Sequence, residues 1–222
     1  FVSFLMLFFV LAAVGARLGG DLEKTSPAYL GFGQKALLIL VWLLAAVSVF
    51  SLNIKTMRAS SLANDFLSAP AQNVAQDQVK LKEALAKNTF ASGEIGYQAV
   101  FNYLERINQQ PVLAQNEDFY QMVFPALQKN VEISSARARN FVALGWLDLY
   151  FSGQNPERVG QAIEAGQKVI SLAPNKKEGY LLLTAAYSIS GQTDKADEVV
   201  AQAEQVGPVA GKAIKKYLEA LR

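Results

Sequence analysis

An all-α fold is what this 222-residue sequence predicts: a membrane-embedded helical hairpin followed by a stack of paired helices, an α-solenoid. Three observations lead there. Two apolar runs, Phe1–Ala16 and Ala36–Leu52, stand at the amino end, separated by a short polar loop. From Lys55 onward apolar residues recur at helical spacing, while β-branched alternation and Asn-Gly turns are missing. Near the carboxyl end the landmarks repeat at an interval of 34 residues, Ala162 with Ala196 and Pro174 with Pro208.

A bilayer core of about 30 Å takes roughly 20 apolar helical residues to cross. Ala36–Leu52, flanked by Lys35 and Lys55, meets that need. Its Leu, Ile, Val and Phe residues together favour insertion by roughly 3–6 kcal/mol. The competing assignment is a buried helix of a soluble core, which ordinarily keeps a polar face; this run has none. Phe1–Ala16 is shorter than a full span and already apolar at its first residue, which predicts that the natural chain extends upstream. A secretory leader is the alternative there: Val14-Gly15-Ala16 would suit a cleavage site, but the basic segment that precedes such a leader is missing. Residues 1–55 are thus expected to form two transmembrane helices with a short loop. That loop carries Arg17, Lys24 and Lys35, against Lys55 and Arg58 on the far side. The count favours a cytoplasmic loop and an extracytoplasmic C-terminal domain in a multi-pass protein of the bacterial inner membrane. The lack of cysteine is compatible with an oxidising compartment without requiring one.

Beyond Met57 the charges balance. Thr56 to Arg222 holds 17 Lys and Arg against 17 Asp and Glu, so the net +2 of the chain comes from its amino end. Nucleic-acid binders concentrate basic residues in a stripe, and none is present; Lys212, Lys215 and Lys216 form a small cluster that suits a solvated helix face. Residues 56–131 are expected to form a helical linker region, with Arg58–Asn88 a candidate for a diverged repeat. Helices are predicted over 58–68, stopped by Pro70, and over 73–87, with Val74, Leu81, Ala84 and Leu85 inward. The next, over 94–108, carries Tyr97, Val100, Phe101, Leu104 and Ile107 at helical spacing. Another covers 117–128, with Phe119, Met122, Val123 and Leu127 inward and a kink at Pro125. A longer one is predicted over 133–152, containing Phe141, Leu144, Trp146, Leu147 and Tyr150.

Residues 132–222 carry the most specific pattern. A repeat begun at Lys177 places Tyr180, Leu183, Thr184, Tyr187, Gly191, Ala196, Ala203 and Pro208 in the order aromatic, leucine, small, aromatic, glycine, alanine, alanine, proline. Order and period resemble the tetratricopeptide repeat, an antiparallel helix pair of 34 residues. Small residues let the two helices approach, glycine turns the chain between them, and proline stops the second. The preceding repeat keeps Ala162, Val169 and Pro174 but has a turn lengthened by Gly153-Gln154-Asn155-Pro156, and Gly166 replaces a bulky residue. The amphipathic segment 209–221, with Ile214, Leu218 and Leu221, suits the cap that stacked repeats need. The groove face of the best-matched repeat is expected to present Glu178, Leu181, Ala185 and Ser188 to a protein partner, or else to form ordinary inter-repeat contacts.

Histidine and cysteine are absent, which removes histidine bases, Ser-His-Asp triads, thiolate nucleophiles and zinc-thiolate sites from this chain. Glu117-Asp118 fits the acidic first turn of a helix better than a metal site. No phosphate-binding glycine loop occurs; Gly19-Gly20 reads as a turn between membrane runs. Neither a catalytic residue nor a cofactor is expected.

The order of parts then matters: an apolar hairpin, Asn53-Ile54-Lys55, a helix pair leading into Ala84-Leu85-Ala86-Lys87-Asn88-Thr89-Phe90 and Glu94-Ile95, then repeats. This arrangement resembles the C-terminal end of bacterial O-antigen ligase family proteins, with residue-level similarity confined to the Asn88-Thr89-Phe90 neighbourhood and the repeats. The resemblance implies a polytopic protein that transfers or polymerises glycans from a polyprenyl-diphosphate carrier at the extracytoplasmic face. It also implies that the basic residues for that chemistry lie upstream of Phe1, since none here matches them. A membrane-anchored repeat adaptor without enzymatic activity is the alternative.

Overall fold

The computed structural model describes residues 32–69 and 74–221, and among these every regular element is helical. The run Phe1–Ala16, and with it the first half of the expected hairpin, lies outside the described residues. The chain divides into two compact units, Phe1–Met57 and Arg58–Arg222.

Helix α1 is Phe32–Ser68. The sequence predicts a span ending at Leu52 and a separate helix from Arg58, whereas a single helix covers both. No glycine or proline interrupts 34–68, and the polar side chains in its path are satisfied within the helix. Ser48 Oγ donates to Leu44 O at 2.8 Å, Asn53 Nδ2 to Val49 O at 2.8 Å and Thr56 Oγ1 to Leu52 O at 2.9 Å. Such bonds to the preceding turn remove the need for solvent or a break. Ile39–Ser68 is long and apolar enough to cross a membrane, the one such segment among the described residues.

The second unit contains α2 (Val74–Ala86), α3 (Ser92–Gln109), a 3₁₀ turn (Pro111–Gln115), α4 (Glu117–Ile133), α5 (Ala138–Tyr150), α6 (Glu157–Leu172), α7 (Lys177–Ile189), α8 (Thr193–Val206) and α9 (Pro208–Leu221). From α3 to α9 each helix packs on the next; α3 also meets α5, α5 meets α7, and α7 meets α9. Residues 58–131 share one core with α5 to α7: Ala59, Ala63 and Phe66 from the end of α1, Leu81 and Ala84 from α2, then Val100, Tyr103, Phe119, Leu127, Leu147, Val169 and Leu182. Its centre is aromatic. Tyr103 and Phe119 stack at 3.6 Å between centroids and 8° between planes, with Phe66 and Phe151 within 6.3 Å of Phe119. A second core joins α7, α8 and α9 through Tyr180, Leu183, Tyr187, Ala196, Val200, Ile214 and Leu218.

Two boundaries differ from the sequence expectation. α4 runs on through Pro125 to Ile133, and Ser134–Arg137 separates it from α5, so the predicted helix over 133–152 begins five residues later. Pro125 is exposed on α4, and its missing N–H removes one ladder bond without ending the helix. Toward the carboxyl end, α7 gives way to α8 at Ser190–Gln192 and α9 begins at Pro208. Gly191 adopts φ +75° between α7 and α8, and Gln192 N donates to Tyr187 O at 2.8 Å, the closing bond of a left-handed helix terminus. Gly211 lets α9 approach α8 so closely that a Cβ there would collide with the Glu204 backbone.

The carboxyl end of α1 is held by α3. Arg106 Nη2 donates to Phe66 O at 2.6 Å and to Ala69 O at 3.0 Å, and Asn102 Nδ2 donates to Leu67 O at 3.1 Å. Phe66 and Leu67 lie in the last turn of α1 and Ala69 just beyond it, where the ladder of i+4 donors has ended. Arg106 is 4% exposed, and its guanidinium lies 4.8 Å over the Phe66 ring. Arg106→Met keeps the aliphatic stem and removes the donors. It should destabilise this unit by about 2–4 kcal/mol and accelerate amide exchange over residues 58–69; exchange unchanged there would refute the role given to the guanidinium.

Candidate functional site

The stripe expected to face a partner opens only at its ends. Ala185 is fully buried in the core shared by α5 to α7 and offers no surface. Leu181 is half-buried and packs against both cores. Glu178 and Ser188 are partly exposed at the two ends of α7, and Glu178 Oε1 lies 3.9 Å from Lys176 Nζ, an exposed ion pair of small energetic weight. Tight packing accounts for the closed middle. Gly145 and Gly166 bring α5 and α6 against α7 so closely that a Cβ on either would press on Leu182 or Leu183.

Two clusters lie elsewhere. The first is a buried polar knot between α4, α5 and α6. Arg158, 5% exposed, grips Glu117 with both Nη atoms, donates from Nη1 to Phe151 O at 3.0 Å and stacks 3.6 Å from the Tyr120 ring. The acidic first turn of α4 is therefore half of a bidentate ion pair. Hydrogen bonding to Arg158 holds the Glu117 carboxyl below its usual range, and Glu117 raises Arg158 in return. Tyr120 Oη donates to Asp148 Oδ1 at 2.7 Å. Asp148 is 1% exposed, and burial raises its carboxyl to about 6, the Tyr120 bond and Arg158 opposing that rise; burial likewise raises the Tyr120 hydroxyl.

The second is a groove of about 710 Å³ between the α2–α3 turn and the end of α4, lined by Lys82, Thr89, Phe90, Met122, Lys129, Ile133 and Arg137 among others. Asn88, at φ +46°, turns the chain and brings Thr89 and Phe90 to the rim; asparagine tolerates this left-handed geometry. Lys129 Nζ donates to Asn88 Oδ1 at 2.8 Å, tying the turn to α4. Asn130 Nδ2 donates to Asn140 Oδ1 at 3.1 Å and fixes the end of α4 to α5. The Asn88-Thr89-Phe90 segment is conspicuous in the sequence, but its meeting with Lys129 and Arg137 depends on α4 extending beyond Gln128. Among the described residues no group of three or more acidic side chains is placed to hold a metal ion.

No family model matches the chain, and no curated protein matches its sequence.

The Asp148 carboxyl sets a pH dependence with a definite sign. A carboxyl whose folded value lies above the ordinary 3.8 takes up a proton on folding, so its contribution to stability falls as pH rises from about 4 to about 6. Glu117, depressed by Arg158, acts oppositely: its stabilisation is lost as pH falls. Asp148→Asn keeps an acceptor for Tyr120 and removes the ionisation. It should be more stable than the parent at pH 7, on the order of 2 kcal/mol, with the advantage vanishing toward pH 4. Urea titrations followed by Trp146 fluorescence at both pH values check this; an equal difference at each would rule out the ionisation of Asp148 as the cause.

Proposed function

We propose that this chain is a membrane-anchored docking module. Helix α1 lies in a bacterial inner membrane, and the Arg58–Arg222 unit is a tetratricopeptide-type solenoid that holds a protein partner beside it. The observation that carries the proposal is the outward surface of α1: Ile39, Leu40, Trp42, Leu43, Leu44, Val47, Phe50 and Leu52 are each more than half exposed. Soluble proteins rarely expose so large a contiguous apolar surface. The solenoid is supported by the packing of α3 with α5, α5 with α7 and α7 with α9, by the glycine turn at Gly191 and by the glycine-mediated approach of α5 and α6 to α7.

The narrower proposal makes the chain the C-terminal part of a multi-pass protein of the O-antigen ligase type. Phe1–Ala16 then supplies a second span, the Arg58–Arg222 unit lies on the extracytoplasmic side, and transfer of polyprenyl-diphosphate-linked glycan belongs to residues outside this chain. Its support is the order of parts and the turn at Asn88-Thr89-Phe90, which forms the rim of a groove.

The chain should remain in the membrane pellet after alkaline carbonate extraction, and protease added to sealed inside-out vesicles should leave the Arg58–Arg222 unit intact. Release by carbonate would sink the anchor, and cleavage in those vesicles would reverse the sidedness. Glu178→Lys should lower capture of the bound protein partner several-fold with an unchanged helical circular dichroism spectrum, because Glu178 is the one charged member of the α7 stripe; undiminished capture would remove that stripe from the interface.

A further inference from the structure

We propose that the groove between the α2–α3 turn and the end of α4 docks an acidic peptide segment bearing a large apolar side chain. This deepens the docking role and rests on it. The cations of the groove come from three separate elements, Lys82 on α2, Lys129 on α4 and Arg137 in the α4–α5 connection, and no Asp or Glu lines it. Thr56 to Arg222 carries equal numbers of acids and bases, so three cations without an acid are a local segregation of charge. Lys129 is bonded to the neutral Asn88 side chain, and among the described residues Lys82 and Arg137 have no carboxylate partner.

The apolar requirement comes from Phe90 and Ile133, 81% and 72% exposed, with Leu85, Met122 and Pro125 also lining the groove. A phosphate or lipid headgroup alone would satisfy the cations and leave these side chains wet. The groove of about 710 Å³ is a half-open concavity and not a flat surface.

The test uses the full chain in dodecylmaltoside and a fluorescein-labelled octapeptide of glutamates with one phenylalanine and one leucine. Its lysine counterpart is the control, and phosphatidylcholine vesicles with or without phosphatidylglycerol are the competing arm. Fluorescence anisotropy should give micromolar affinity for the acidic peptide, weakened by added salt and lowered at least about tenfold by the double variant Lys82→Glu, Arg137→Glu. Phe90→Ala should lower it about fivefold through lost apolar contact. All three positions are solvent-facing, and an unchanged circular dichroism spectrum verifies that each variant is folded. Undiminished affinity in the double variant, equal binding of the lysine peptide, or binding only of phosphatidylglycerol vesicles overturns the proposal. A parent chain that keeps its Glu178-dependent partner but ignores the acidic peptide overturns the groove alone, whereas loss of every partner overturns the docking role itself.

Discussion

The helical unit depends on how the carboxyl end of α1 is closed. A helix that stops inside a packed domain leaves its last carbonyls without donors, and water cannot supply them where Phe66 is fully buried. Arg106 answers from α3 with one nitrogen bonded to two carbonyls, and Asn102 supplies a third bond. Taking a guanidinium out of water is expensive, and burial lowers the Arg106 pKa accordingly, with Asp77 and Tyr103 acting in opposition. Two bonds to carbonyls offset part of that cost; a neutral side chain of similar volume would avoid the desolvation but leave the helix end open. The aromatic centre follows from the same closure. Phe66 can stack on Phe119 only while the end of α1 is fixed against α3.

Arg158 solves a different problem with the same chemistry. Its partners are a carboxylate, a carbonyl and a tyrosine ring, contributed by the first turn of α4, the end of α5 and Tyr120. A lysine could not serve all three, since its ammonium is a point donor and lacks a planar face to lay on a ring. The knot fixes the join between the α1–α4 region and the helices that follow. Its weak member is Asp148, whose carboxyl is buried with one hydroxyl donor and is raised by that burial.

What the sequence made legible, and what it hid, divides along this line between local and long-range causes. The limits of α7, α8 and α9 follow from Gly191 and Pro208, which act on neighbouring backbone. The fused α1 was harder to foresee, because Asn53 and Thr56 look like breakers until their side chains are seen bonded to carbonyls one turn back. The loop Ser134–Arg137 was hidden because Ile133 continues the apolar spacing: the sequence predicts one helix ending at Gln128 and the next starting at 133, whereas α4 carries Ile133 as its last residue. Arg106 sits at the spacing of Ala99 and Tyr103, which a reader of apolar stripes could have noticed, but the carbonyls it caps lie about forty residues earlier in the chain. The buried Ala185 shows the converse. Spacing placed it on a groove face, while the glycines that draw α5 and α6 against α7 closed that face at its middle.

The apolar residues of α1 can be weighed in the same terms. Eight large side chains, each more than half exposed, would cost roughly 1 kcal/mol or more apiece if left in water, a sum comparable with the whole net stability of a domain. Their distribution around the helix bears on the anchor proposed for α1. At 100° per residue, Ile39, Leu43 and Phe50 lie together, Leu40, Leu44 and Val47 occupy the adjoining quadrant, and Trp42 and Leu52 point to the remaining sides. A partner helix covers one face and leaves the others wet, and an amphipathic surface helix would keep a polar side. An apolar solvent would meet every side of such a helix at once, which supports the anchor proposed for α1, and Ser48, Asn53 and Thr56 each already donate to a carbonyl one turn back.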